Sequence, residues 1–283
     1  MYQLGDQAEG LRLARKDGAN SPNFRKGDSG GSTFTVAVTS GKGGVGKTQV
    51  SANLGVALAL RGLKVLLMDA DLGLASLDLA LGLQPTRDLR AVIKGECEIE
   101  EVLMDGPAGV RLIPACPGRY DMANLGPKDR NTLMNAIDRV AKGFDVLIVD
   151  TGAGIGSNAV DFASSADEVL LVATPDPTSL RDAYAMAKVL HRRSGVDRIQ
   201  LVANQVESDS EGAALHDRIN GIVKRFLSLE LCYLGCIPRD DGVREGVSAG
   251  EPFVIRSPRS LATRSVEGLV RRLCPEITPR ELC

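Results

Sequence analysis

Residues 34–58 read FTVAVTSGKGGVGKTQVSANLGVAL, and their order decides the fold. Phe34-Thr35-Val36-Ala37-Val38-Thr39 is an apolar run of strand length. From Thr48 onward, Val50, Leu54, Ala57 and Leu58 recur as one face of a helix. Between the two, Gly41-Lys42-Gly43-Gly44-Val45-Gly46-Lys47-Thr48 satisfies G-x-x-x-x-G-K-[ST]. Strand, glycine loop, helix is the context that a phosphate-binding loop requires. Glycines let backbone N–H groups turn inward around phosphates, and the helix N-terminus adds partial positive charge. Lys47 is then expected to neutralise the β- and γ-phosphates of ATP, and the Thr48 hydroxyl to coordinate Mg²⁺.

Outward from this segment, apolar runs recur at 63–68, 109–113, 145–149, 168–173, 199–203 and 231–237. Helical spacing lies between most of them, as in Ala183, Ala187 and Leu190. Continuous apolar strands alternating with amphipathic helices predict an α/β fold, a doubly wound, mostly parallel sheet covered on both faces. That domain is expected over 33–273, closing with a helix over 258–273 that buries Ala262, Val266, Leu269, Val270 and Leu273. Residues 1–16 can form a short helix with Asp6 as N-cap, and 17–32, rich in Gly, Ser, Asn and Asp, read as a flexible linker. Residues 274–283 form a tail.

A net charge of −2 gives no general attraction to nucleic acid or acidic lipid. The six cysteines, at 97, 116, 232, 236, 274 and 283, lack C-x-x-C spacing. Cys232 and Cys236 are expected on one strand face as small hydrophobes, since only two histidines exist to complete a metal site. No signal-peptide pattern or membrane-length apolar run is present, so a reduced, cytoplasmic chain is expected.

Other strand ends carry polar residues suited to a nucleotide. Met68-Asp69-Ala70-Asp71 places two carboxylates at the crest of the sheet, and Val146-Leu147-Ile148-Val149-Asp150 places a third before Thr151-Gly152-Ala153-Gly154. Asp150 is expected to bind Mg²⁺ through water, and Asp69 to support its loop. Leu201-Val202-Ala203-Asn204 ends a strand in an amide that either pairs with adenine or forms a turn.

The Lys42-Gly43-Gly44-Val45-Gly46-Lys47-Thr48 loop resembles the deviant Walker motif of the MinD/ParA ATPases, P-loop proteins of the SIMIBI class. The resemblance implies an ATP-dependent sandwich dimer in which Lys42 reaches the partner subunit's nucleotide. It implies that Asp71 orients the attacking water and joins Thr48 and Asp150 in the magnesium shell. It also implies that Asn204 and Gly235-Cys236-Ile237-Pro238-Arg239-Asp240 lie against adenine, with Ile237, Pro238, Arg239 and Asp240 as contacts. One departure is Ser76, where members often have Asn; a hydroxyl lacks the amide fork.

Asp6-Gln7-Ala8-Glu9-Gly10-Leu11-Arg12 is similar to the D-Q-A-x-x-L-R motif of the FlhG branch, also called FleN or YlxH. That resemblance implies a slow ATPase that regulates flagellar number and placement. In it Asp6, Gln7, Leu11 and Arg12 engage the signal-recognition-type GTPase FlhF, and components of the flagellar switch, or C-ring, are further partners. No DNA partner is expected. Peripheral association with the inner face of the cell membrane is open. The 274–283 tail cannot make a basic amphipathic helix, which leaves 258–273, with Arg259, Arg264, Arg271 and Arg272, as the substitute. A spatial positioning or partitioning ATPase and a nucleotide-locked scaffold with little hydrolysis are the competing functions.

Overall fold

The computed structural model describes residues 33–71, 76–85, 89–115, 126–273 and 275. The expected 1–16 helix, the 17–32 linker and almost all of the tail lie outside the described residues, as do the partner-binding Asp6, Gln7, Leu11 and Arg12.

The strands are β1 (Phe34–Thr39), β2 (Val65–Ala70), β3 (Met104–Asp105), β4 (Arg111–Ile113), β5 (Val146–Thr151), β6 (Glu168–Ala173), β7 (Ile199–Val206) and β8 (Cys232–Pro238). Among the described residues they form one sheet in the order β3-β4-β2-β5-β1-β6-β7-β8. All neighbours pair in parallel except β3 with β4. The expected doubly wound, mostly parallel sheet is therefore the observed one. Antiparallel β3 was not expected, because two residues are too few to show a period.

The helices are α1 (Lys47–Ala59), α2 (Leu77–Ala80), α3 (Leu89–Ile93), α4 (Pro127–Ala141), α5 (Ser157–Ser164), α6 (Pro177–Ser194), α7 (Asp209–Leu227), α8 (Asp241–Ala249), α9 (Phe253–Arg256) and α10 (Leu261–Leu273). Alternation along each central strand sends side chains to both faces. Val36, Val38, Ile148 and Leu67 pack with Leu54 of α1 and Val266 of α10 on one face. Leu66, Met68, Leu147 and Val149 pack with Leu133 and Ile137 of α4 on the other, where Ala37 and Leu171 meet Met186 of α6 and Ile219 of α7. With both faces covered, these strands read as unbroken apolar runs.

The last helix starts at Leu261 rather than 258, and its five expected apolar residues are all buried. Arg272 donates to the Leu234 carbonyl of β8. Its apolar face therefore belongs to the core and is not free to lie on a membrane. Among the described residues, no helix is long and apolar enough to cross one.

The two strand cysteines do not share a setting. Cys232 is exposed and Cys236 is buried. A register shift, in which Leu201 pairs with Tyr233 but Val202 with Gly235, breaks the alternation between them.

Candidate nucleotide site

The sheet reverses winding at β1, with β5 and β2 on one side and β6 and β7 on the other, and ligands of such sheets bind at that crevice. Register brings the carboxylates together there. Val38 pairs with Asp150, and Asp150 with Asp69.

The loop after β1 is shaped by two close approaches. A Cβ at Gly41 would lie 2.0 Å from the Asp182 carbonyl of α6, so any larger residue would push the loop off that helix. Gly46, the N-cap of α1, has φ 86°, and a Cβ there would meet Asn204 Nδ2 at 2.3 Å. Left-handed backbone and lack of space both demand glycine.

Lys47 Nζ lies 2.9 Å from Asp150 Oδ1, and Ser51 Oγ donates to the same oxygen at 2.9 Å. Both charged side chains are buried. The other oxygen, Asp150 Oδ2, is buried with no hydrogen-bond partner among the described residues. Thr48 Oγ1 is 3.1 Å from Ser76 Oγ, so the departing hydroxyl at 76 still touches a magnesium-type ligand. An orphaned buried carboxylate oxygen and a threonine hydroxyl at a helix N-terminus form a donor set that fits Mg²⁺ with a nucleotide phosphate.

Asp69 supports its loop as expected. Its carboxylate accepts from the N–H groups of Asp71 at 3.0 Å and of Ser76 and Leu77 at 2.9 Å. Burial, and after it the facing Asp150, push this carboxyl up to about 7 against those three hydrogen bonds. The Asp71 carboxylate faces Gly152, where an added Cβ would lie 3.7 Å from Asp71 Oδ1. Asp71 therefore borders the glycine segment that follows β5. Leu72 to Ala75 lie outside the described residues.

A cavity of about 660 Å³ opens beside the loop, lined by Gly46, Val50, Asn204, Ile237, Pro238 and Arg239 among others. Sequence-expected residues more than 150 apart thus meet in one pocket. Asn204 does more than border it: Nδ2 donates to the Val45 carbonyl at 2.7 Å, fastening the loop to β7. Asp240 also lines the cavity, but its oxygens cap α8 at Gly242 N, 2.7 Å, and hold Ala262 N, 3.1 Å. Asp240 builds the wall through the backbone.

Lys42 has partners that its sequence position does not suggest. Its ammonium donates to Asp176 Oδ1 at 3.1 Å, to Oδ2 at 3.2 Å and to Thr178 Oγ1 at 2.6 Å. Asp176 is the N-cap of α6. Bonds from Thr178, the Ser179 N–H and Thr174, with Lys42 behind them, hold its carboxyl below the usual carboxylate range. Asp-Pro-Thr-Ser is legible as a helix start. Its service to Lys42 is not, because 134 residues separate the two. Gln205 was likewise missed. It sits at φ 59°, its side-chain Nε2 reaches the Gly44 carbonyl at 3.4 Å, and its backbone carbonyl accepts from Arg239 Nε at 3.1 Å.

The profile of the CobQ/CobB/MinD/ParA nucleotide binding domain matches residues 36–253. The chain is 45% identical over 238 residues to the antiactivator FleN of Pseudomonas aeruginosa, covering 84% of this chain and 85% of that one. It is 34% identical over 251 residues to the flagellum site-determining protein YlxH of Helicobacter pylori, covering 88% and 85%. The septum site-determining protein MinD of Pyrococcus horikoshii, solved with Mg-ADP, superposes with a TM-score of 0.71 at 27% identity, covering 85% of this chain and 96% of that one. With a magnesium-nucleotide loop, its carboxylates and its pocket assembled at the sheet's reversal point, this chain belongs to the MinD/ParA nucleotide-binding family and is an ATPase of that family.

Proposed function

We propose that this chain is an ATP-driven dimerising switch that regulates flagellar number and placement. The observation that carries the reading is the division of labour between two loop lysines. Lys47 is buried against Asp150, inside the phosphate cradle, whereas Lys42 is one-third exposed and points away from it to Asp176. A lysine outside the cradle supports a role across a subunit interface, as an arginine finger acts in other nucleotide hydrolases. The flagellar assignment rests on the two relatives named as an antiactivator and as a flagellum site-determining protein.

In this reading Lys47 neutralises the terminal phosphates, and Thr48 and Asp150 hold the magnesium ion. The ion, when bound, draws charge from the β- and γ-oxygens. Asp71, beside the glycine segment at 152–154, orients the attacking water. Asn204, Ile237 and Pro238 frame adenine. Residues 1–16 carry the FlhF-stimulating motif at the end of the 17–32 tether.

ATP, and not ADP, should double the mass seen by light scattering, and Lys42→Ala should abolish that while retaining nucleotide binding. A Lys42→Ala chain that dimerises normally with a non-hydrolysable analogue removes the trans role. A 1–16 peptide should raise GTP turnover of the FlhF-type GTPase from the same cell, and its Gln7→Ala form should not. A wild-type peptide without effect beside an active full chain rejects the N-terminal assignment.

A further inference from the structure

The end of β7 departs from strand geometry beside the phosphate loop. Asn204 pairs with Ile237 and Val206 with Pro238, so β7 spends one residue more than β8 between the two pairs. Gln205 is that extra residue, and its φ of 59° is left-handed, a conformation that an L side chain rarely takes. The bulge is held through its backbone. Arg239 Nε donates to the Gln205 carbonyl at 3.1 Å, and the Arg239 N–H donates to the Val206 carbonyl at 2.9 Å. Strain kept beside a ligand site calls for a functional reason.

Side-chain direction supplies one. In a regular strand Asn204 and Gln205 would point to opposite faces. Across the bulge both amides reach the same loop: Asn204 Nδ2 donates to the Val45 carbonyl at 2.7 Å, and Gln205 Nε2 to the Gly44 carbonyl at 3.4 Å. Two consecutive amides thus hold two consecutive carbonyls. In a trans peptide the carbonyl and the next residue's N–H point in opposite directions. Holding the Gly44 and Val45 oxygens toward β7 therefore turns the Val45 and Gly46 N–H groups away from it. Among the described residues neither N–H donates to a backbone acceptor, which leaves both donors for a ligand.

We propose that Gln205 is a positioning residue for the phosphates of the nucleotide. Together with Asn204 it sets the peptide planes at 44–46, so that the Val45 and Gly46 N–H groups face the α- and β-phosphates. Lys47 supplies charge to the cradle, and the amide pair supplies the direction of its backbone donors. Gln205 also lines the nucleotide cavity, so direct contact with the base is the rival role. The geometry favours the loop. A carbonyl can only accept, which fixes the amide with Nε2 toward Gly44, and the left-handed bulge is what aims it there.

The inference rests on nucleotide binding and not on dimerisation or a flagellar role. Mg-ADP, which does not drive the dimer in the switch reading, is therefore the probe, titrated into the full chain by calorimetry. Gln205→Met keeps the length of the side chain and removes its donor. It should weaken Mg-ADP about tenfold and move the ³¹P resonance of the bound β-phosphate toward its position in free Mg-ADP. Gln205→Gly relieves the left-handed backbone, so it should melt at a higher temperature and yet show the same loss of affinity and the same ³¹P change. Unchanged affinity in the methionine variant, or full affinity in the glycine variant, overturns the proposal and leaves Gln205 as a turn residue. Weaker binding with the ³¹P resonance unmoved also overturns it, because the side chain would then act on the base.

Discussion

The Lys42 ammonium is held by its own chain: Nζ sits 3.1 Å from Asp176 Oδ1, at the first turn of α6. The same helix meets the start of the loop where the Asp182 carbonyl abuts Gly41. If Lys42 serves a second subunit, this clamp competes with that service. Release from Asp176 then becomes part of dimerisation.

Asp176→Asn is therefore expected to favour the dimer. Asparagine caps helices as well as aspartate does, so α6 keeps its N-cap while the charge that holds Lys42 is lost. The pair is partly exposed and screened, which limits the gain to a two- to fivefold lower protein concentration at half-dimerisation, roughly. Analytical ultracentrifugation with a non-hydrolysable ATP analogue measures it. A higher midpoint would mean that Asp176 helps the dimer rather than restraining it.

Asp71→Ala should bind Mg-ATP and fail to turn it over. Lys47, Thr48 and Asp150 keep the cradle, while the carboxylate beside Gly152, which we propose orients the water, is gone. Loss of a positioned general base lowers turnover by about a hundredfold or more. A phosphate-release assay on protein saturated with ATP checks this, and turnover near the wild-type level rejects the assignment.

Lys47→Met should destabilise the nucleotide-free protein by about 3 kcal/mol, because breaking a buried ion pair leaves one charge uncompensated. The Asp150 side chain is 0% exposed and, among the described residues, keeps only Ser51 as a hydrogen-bond partner. Urea unfolding without nucleotide measures the loss, and adding Asp150→Asn should recover most of it. A cost below about 1 kcal/mol would show that water reaches Asp150 in solution.

Cysteine labelling should separate the two residues that the β8 irregularity divides. Burial, and then the Asp209 carboxylate to which its thiol donates at 3.1 Å, push Cys236 up to about 11. Exposed Cys232 should react with iodoacetamide at pH 8 at least tenfold faster, roughly, since the thiolate is the nucleophile. The fold holds the Cys236 thiol neutral, so its contribution to stability is complete below about 9 and falls as pH rises toward about 11. Equal labelling rates, read by peptide mass spectrometry, would contradict this placement.

The sequence by itself determined the class of fold and the phosphate loop, because both rest on local order. The strand at 34–39, the glycine loop and the helix from 47 are contiguous, and each is specified by neighbours a few residues away. The carboxylates at 69, 71 and 150 were legible for a related reason: strand ends of a parallel sheet share one edge, so period alone places them together. Tertiary structure decided what sequence distance conceals. Only packing of α6 against the loop brings Asp176 to Lys42, and only the fold of β7 beside the loop turns Asn204 into a fastener for Val45. The extra residue in β8 changed which face Cys236 takes, a change that no residue count reveals. The apolar stripe of α10 looked alike whether destined for lipid or for a core, and its position over β8 and α1 decided for the core. Local chemistry writes the elements and their motifs, whereas the partners of a side chain are set by which surfaces the chain brings within a few ångströms.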